Sequence, residues 1–321
     1  MKAEPFFTHP VGIVVASCGA TFLWGSSFPF IKLSYAALHI EPGETFEQLL
    51  FAGYRFILAA CLILLFIRIL GKPTGLKTQT LPSLTKVGLF QTFFQYLFFY
   101  VGLSYSTGIQ GSIIAGTTSF FQIIIAHFLY QNDFLSWRKV SGLLIGFMGV
   151  IVVSLSKGSY HFSFGIGEVC LLIAMFCGAL GNIFAKNEAA KLDILYMTSY
   201  QMLLGGVGLT LAGGLVVGFT PFPFTAASIL MLLYLAILSA AGFVLWNNVM
   251  KYNKVGNISM YLFFIPVFGV ALSAAILDEP LHGLVFVALA LVVAGIIIVN
   301  RGKSEKKSVV IEKEIVLEKH N

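Results

Sequence analysis

The chain has 321 residues, of which 58% are hydrophobic and only 11% charged, with a mean hydropathy of +0.90. A soluble domain averages about 25% charged residues, so this is not the composition of a cytosolic enzyme, and four cysteines are too few for a disulfide scaffold. A net charge of +6 would point to nucleic acid in a soluble protein, so the position of the basic residues decides its meaning.

Apolar runs of about 18 or more residues predict membrane-spanning helices, and the chain offers ten. The first, 11–33, sets Ser17, Thr21, Trp24 and Phe28 on one face, contains Ser27 and Pro29, and carries Lys32 near its end. Val15-Ala16-Ser17-Cys18 has the shape of a lipoprotein processing site, but apolar residues continue past Cys18, so it reads as a small-residue patch inside the span. After Glu41-Pro42-Gly43-Glu44, the second span (48–70) carries Arg55, roughly 10 Å along the helix at about 1.5 Å per residue. The third (84–104) sets Gln91 and Gln95 on one face. The fourth (109–130) aligns Gly111, Ala115, Thr118 and Gln122, and the fifth (139–156) has Gly142 and Gly146 at packing spacing. Glu168 opens the sixth (165–185), and the seventh (194–218) stops before Thr220-Pro221-Phe222-Pro223. The eighth (226–250) aligns Ser239, Gly242 and Trp246, followed by Asn247. The ninth (256–277) contains Pro266, and Asp278-Glu279-Pro280 turns the chain into the tenth (281–300). Residues 301–321 read as a charged, solvated tail. Cys61, Cys170 and Cys177 fall within spans and read as packing residues; the sequon Asn257-Ile258-Ser259 reads as accidental.

The runs from Phe56 to Ile67 and from Leu284 to Ala294 are continuously apolar, whereas membrane barrel strands alternate. The expected fold is therefore an all-α integral membrane protein. With the N-terminus inside, the inner segments hold Lys2, Arg68, Lys72, Lys77, Lys86, Arg138, Lys139, Lys186, Lys191, Lys251, Lys254 and six basic residues of the tail. These are 17 of the 20, against Lys157 alone in an outer loop. The asymmetry predicts ten spans with both termini inside and removes nucleic acid as a partner in favour of a lipid bilayer.

An offset of 146 residues lays Tyr54-Arg55-Phe56 on Tyr200-Gln201-Met202, Asp133-Phe134-Leu135 on Glu279-Pro280-Leu281, and Gly149-Val150-Ile151 on Gly295-Ile296-Ile297. Five spans per copy is odd, so the second copy enters the membrane from the other side, as in transporters built on inverted repeats. The division expected is 1–156, 157–300 and the tail 301–321. Trp24-Gly25-Ser26-Ser27-Phe28-Pro29-Phe30-Ile31-Lys32 resembles the first-span motif of the EamA-type branch of the drug/metabolite transporter superfamily. Arg55 with its apolar run, and Leu245 through Pro266-Val267-Phe268 to Asp278-Glu279-Pro280-Leu281, are similar to that family's second, eighth and ninth spans. The resemblance covers 11–300. It departs at Phe120, where the first copy usually has the proline kept at Pro266, and at Asp133, which replaces a glutamate. It implies a ten-helix transporter of small metabolites such as amino acids, often outward.

Polar side chains inside a membrane are costly, so each needs a partner or a task. Arg55 reads either as a gate or substrate anchor, or as a structural ion pair with Glu279 or Glu168, or as a side chain reaching the outer surface. Trp24, Ser27, Gln95, Thr118, Gln122, Trp246 and Asn247 are candidate lining of a substrate cavity; the alternative is helix packing. Pro29 and Pro266 are candidate helix kinks. Glu168, Glu279, His127 and His282 are the candidate proton carriers near spans. There is no His-Glu-x-x-His, no glycine-rich phosphate loop and no filter loop, and nothing calls for a cofactor or metal. The function expected is secondary transport of a small-molecule solute across the cell (inner) membrane by alternating access, driven by a coupling proton or an exchanged solute. A membrane-embedded lipid-modifying enzyme or a channel is the alternative.

Overall fold

The computed structural model describes residues 4–130, 136–155, 165–295 and 297–298, and among these it contains helices and turns but no strand. Lys2, Asp133, Lys157 and the tail 301–321 lie outside the described residues. A short α1 (Glu4–Thr8) precedes α2 (Pro10–Leu38) and α3 (Thr45–Ile69). The third stretch is composite: α4 (Leu81–Gly88), a π-helical segment Leu89–Phe94, and α5 (Gln95–Ser104). The fourth divides into α6 (Gly108–Ala115) and α7 (Thr118–Leu129). Then come α8 (Trp137–Leu155), α9 (Ile166–Ala189), α10 (Ile194–Val217) and α11 (Ala226–Tyr252). The ninth stretch is α12 (Val255–Ile258), a 3₁₀ segment Ser259–Phe263 and α13 (Phe264–Leu277), and α14 is Gly283–Gly295. Among the described residues, seven helical stretches are long and apolar enough to cross a membrane; Val140–Gly149, Tyr261–Leu277 and Gly283–Gly295 are apolar but shorter.

Local chemistry starts and stops these helices. Asp193 Oδ1 accepts from the backbone N–H groups of Leu195 (2.9 Å) and Tyr196 (3.2 Å), capping α10. Thr107 and Gln110 form a reciprocal capping box at α6, with Gln110 N–H donating to Thr107 Oγ1 at 3.1 Å and Thr107 N–H to Gln110 Oε1 at 3.2 Å. α2 ends at His39, whose φ of 57° is left-handed, so that Ile40 N–H can reach the Tyr35 carbonyl at 2.9 Å. Pro29 lies inside α2, which continues through it. Pro266 occupies the first turn of α13, where a missing N–H costs nothing, and the interruption comes before it, in the 3₁₀ segment.

The most extensive packing is α3 along α10; α2 packs on α11 and α13, α5 on α9, and α6 on α13. Glycine makes the α3–α10 approach possible. A Cβ on Gly213 would lie 2.3 Å from the Phe46 carbonyl oxygen, and one on Gly53 would lie 2.6 Å from the Thr210 backbone nitrogen. Between helices in lipid, such small-residue contact gains dispersion energy that larger side chains would forfeit. The core around α2, α3, α5, α9 and α11 is filled by Phe28, Phe51, Phe56, Tyr100, Phe243 and Trp246, all buried.

Candidate functional site

The side chains of α11 and the third stretch stack into three layers. On α11, Ser239, Phe243 and Asn247 recur every four residues on one face, spanning about 12 Å at about 1.5 Å per residue. On the third stretch Tyr100, the Tyr96–Phe99 turn with Gln95, and Gln91 pair with them in the same order. Ser239 and Tyr100 hold Arg55, Phe243 and Gln95 line a cavity, and Asn247 and Gln91 join a network of amides.

The middle layer is a cavity of about 50 Å³. At about 30 Å³ per water that is room for one or two waters. Its walls are Trp24, Ser27 and Phe28 of α2; Gln95, Tyr96 and Phe99 of α5; Ala115 and Thr118 at the α6–α7 break; Met175 and Asn182 of α9; Phe243 of α11; and Leu262 and Ile265 at the 3₁₀–α13 junction. Both interrupted stretches therefore meet it at their interruptions. Four of the seven candidate lining residues, Trp24, Ser27, Gln95 and Thr118, are among its walls. Trp246 is fully buried behind Trp24, ring centroids 5.7 Å apart, and both indole N–H groups are buried without an acceptor among the described residues.

Gln122 and Asn247 lie one layer away, in the network. Gln91 Nε2 donates to Asn182 Oδ1 (2.9 Å) and Asn247 Oδ1 (3.2 Å). Asn182 Nδ2 donates to Gln122 Oε1 (3.0 Å), and Gln122 Nε2 to Ser259 Oγ (2.8 Å). Asn247 Nδ2 donates to Thr198 Oγ1 (3.0 Å), while beside them Thr92 Oγ1 donates to Gln201 Oε1 (2.6 Å). Six helical stretches are thus tied together by neutral groups. The π-helical segment carries both Gln91 and Thr92, and Gly181 lets its backbone approach, since a Cβ there would lie 2.5 Å from the Gln91 nitrogen, while Gly205 leaves room for the Thr92 side chain. Of this network the sequence singles out Gln91, Gln122 and Asn247; Asn182 and Thr198 escape notice there, and Ser259 figures only in an accidental sequon. Asn182, alone in the apolar run Gly178–Ala185, carried the signal of an isolated amide in a span.

The network faces the end of the molecule rich in lysine. Lys186, one turn beyond Asn182, donates to the carbonyls of Met250 and Asn253, both at 2.6 Å, covering the C-terminal end of α11. Lys86 pairs with Glu188 at 3.3 Å and Lys72 with Asp193 at 3.2 Å. Burial raises the Asp193 carboxyl, but the Tyr196 N–H, the Lys72 ammonium and the Leu195 N–H together outweigh it and hold the group below the usual aspartate range.

Arg55 forms the opposite layer and is 1% exposed. Its Nε donates to Ser239 Oγ (2.7 Å) and the Leu235 carbonyl (3.2 Å), and its Nη1 to Tyr100 Oη (3.0 Å). The guanidinium carbon lies 5.1 Å from the Phe56 ring and 5.5 Å from the Tyr96 ring. Among the described residues no carboxylate reaches it. The structure does not bring the three members of the expected gate or ion pair together. Glu279 instead accepts from the N–H groups of Gly108 (2.7 Å) and Ile109 (2.8 Å) at the start of α6, and buried Glu168 accepts from Gly165 N–H (3.1 Å) at the start of α9. Both acids answer the unpaired donors of helix N-termini. Of the other candidate proton carriers, His127 sits in the last turn of α7 and His282 is exposed. Lys32 lines a second hollow with Tyr35, His39 and Glu41. Among the described residues no group of three His, Cys, Asp or Glu side chains could hold a metal ion.

A solved crystal structure matches this fold with a TM-score of 0.69 at 16% identity, covering 90% of this chain and 98% of the other. An uncharacterized transporter of Bacillus subtilis (strain 168), YvbV, is 28% identical over 306 residues, 90% of this chain and 92% of its own length. A probable amino-acid metabolite efflux pump of Escherichia coli (strain K12) is 26% identical over 299 residues, 89% and 94% of the two chains. The model of the EamA-like transporter family matches twice, over residues 11–155 and 165–301. With apolar helices of membrane length and family matches over most of its residues, the chain is a multi-pass membrane protein belonging to the EamA-like transporter family.

Proposed function

We propose that this protein is a secondary active transporter, not an enzyme, that carries amino acids or related amphipathic solutes outward across the cell (inner) membrane by alternating access. The observation that carries the reading is the cavity at the meeting of two interrupted stretches. The offset of 146 maps Gly116 and Thr117, where α6 gives way to α7, onto Leu262 and Phe263, where the 3₁₀ segment gives way to α13. Matched interruptions in two halves are where transporters of this kind hold their solute, because only there can irregular backbone line a cavity at membrane depth.

Ten spans, both termini inside, and two inverted five-helix repeats (1–156 and 157–300) complete the proposal. The packing supports it, since the pairs exchange under the offset. α2 with α11 corresponds to α9 with α5, α3 with α10 corresponds to itself, and α6 with α13 corresponds to α7 packed on α12 and the 3₁₀ segment. The two family matches fall on the same halves. Support for an exported amino-acid-like solute comes from the Escherichia coli relative's name. Rocking of one repeat against the other would break the amide network on one side of the cavity and the Arg55 layer on the other.

Purified protein in proteoliposomes tests this with a panel of amino acids and amphipathic metabolites, measuring efflux and counterflow with and without a proton gradient. Saturable, gradient- or exchange-driven flux of at least one solute is expected. Turnover of a lipid with no such flux would refute it.

A further inference from the structure

Resting on the transport reading, we infer that the cavity selects amphipathic carboxylates over amines, and that Arg55 is the residue that reads the negative charge. Burying a guanidinium in an apolar core is costly unless a counter-charge or a full set of acceptors compensates. Arg55 has five N–H groups and, among the described residues, hydrogen bonds only from Nε and Nη1, all to neutral oxygens. Two ring faces supply the rest of its surroundings. The site therefore retains an uncompensated positive charge, and the Tyr96 ring that covers the guanidinium is itself a wall of the cavity.

The lining of the cavity agrees with that sign. None of the residues lining it is acidic, so an ammonium entering there would find amide and hydroxyl oxygens but no anion. The apolar part of the solute has Phe28, Phe99, Phe243 and Met175 to lie against. Once rocking of the repeats widens the cavity beyond its present volume of about 50 Å³, a carboxylate with an aromatic or aliphatic tail satisfies both halves of it; the corresponding amine opposes Arg55. Burying the carboxylate supplies Arg55 with the anion that the resting protein lacks, and it does so only when solute is present.

The test uses phenylacetate, phenylacetamide and phenethylamine, alike in ring and size but negative, neutral and positive. Flux of each is measured in proteoliposomes holding the wild type, Arg55→Gln or Arg55→Lys. The wild type is expected to move phenylacetate faster than phenylacetamide by about 30-fold, the loss that accompanies removing one partner of a buried charge pair, with phenethylamine slower still. Arg55→Lys should keep the preference for the anion. Arg55→Gln should abolish it while still moving the neutral amide, a readout that a purely structural role would not give. An amine preference, or an anion preference that survives in Arg55→Gln, overturns the inference and leaves transport standing. The inference falls equally if Arg55→Gln and Arg55→Lys both lose all three fluxes alike, or if the wild type moves other solutes but none of these three. Absence of flux for every solute removes both readings.

Discussion

Asn182→Ala is the sharpest perturbation of the amide network, because Asn182 both donates and accepts within it. Truncation leaves Gln91 Nε2 its longer bond to Asn247 (3.2 Å) and Gln122 Nε2 its bond to Ser259 (2.8 Å), but it strands Gln122 Oε1. A stranded buried acceptor costs about 1–3 kcal/mol. Because Asn182 is also a wall of the cavity, a water can follow the lost side chain and recover part of that. The expected destabilisation is therefore about 1–2 kcal/mol, and the coupling between Asn182→Ala and Gln122→Ala about 0.6–1.7 kcal/mol, the range of hydrogen bonds between membrane helices. Unfolding of the four proteins of this double-mutant cycle by SDS titration in mixed micelles measures both. Strict additivity of the two substitutions would refute the network as a mechanical unit. Asn182→Leu as stable and as active as the wild type would refute its function as a closure.

Gly213→Val puts a branched side chain where even a Cβ would lie 2.3 Å from the Phe46 carbonyl, so α3 and α10 must separate; a loss of at least about 2 kcal/mol is expected in the same titration, and wild-type stability would refute the close approach. His39→Gly relieves a left-handed φ of 57° and should raise stability by about 1 kcal/mol; a fall would mean that the imidazole holds the turn. The Asp193 carboxyl is held below its usual range, so its contribution is fully present above the unfolded value, about 3.9, and is lost as pH falls through the lower folded value. Half-exposed as the pair is, Lys72→Met should remove less than about 1 kcal/mol at pH 7 and shrink the acid-side slope of melting temperature; an unchanged slope counts against the pairing.

What could be read from the sequence followed from periodicity and length. The apolar runs mark the helices, and a recurrence at three- and four-residue steps puts Thr118 on the cavity side of the fourth stretch and Trp246 on the inner side of α11. The interruptions were harder. Pro266 pointed to a break in the ninth stretch, but the break lies upstream in Ser259–Phe263, because proline fits the first turn of the helix that follows. No proline marks the fourth, where Phe120 stands at the equivalent position and the chain turns at Gly116-Thr117 instead. The π-helical segment had no signature in its own residues. Its packing depends on Gly181 and Gly205, about 90 and 110 residues further along the chain, which leave space for the Gln91 backbone and the Thr92 side chain.

Partner choice is the part of the site that periodicity could not supply, and Arg55 and Glu279 show why. Charge makes them natural partners, since a buried cation needs an anion. Helix ends compete for the same carboxylates. The N–H groups of Gly108 and Ile109 offer Glu279 two hydrogen bonds and the positive end of a dipole without requiring a long side chain to be ordered. Once Glu279 is taken, Arg55 is left to neutral oxygens and ring faces, which hold it in place without neutralising it. A fixed ion pair would have closed that side of the cavity to charge. Its absence among the described residues leaves the positive field directed at whatever enters beside Tyr96, so the capping of a helix at Glu279 and the selectivity proposed for the cavity follow from the same competition.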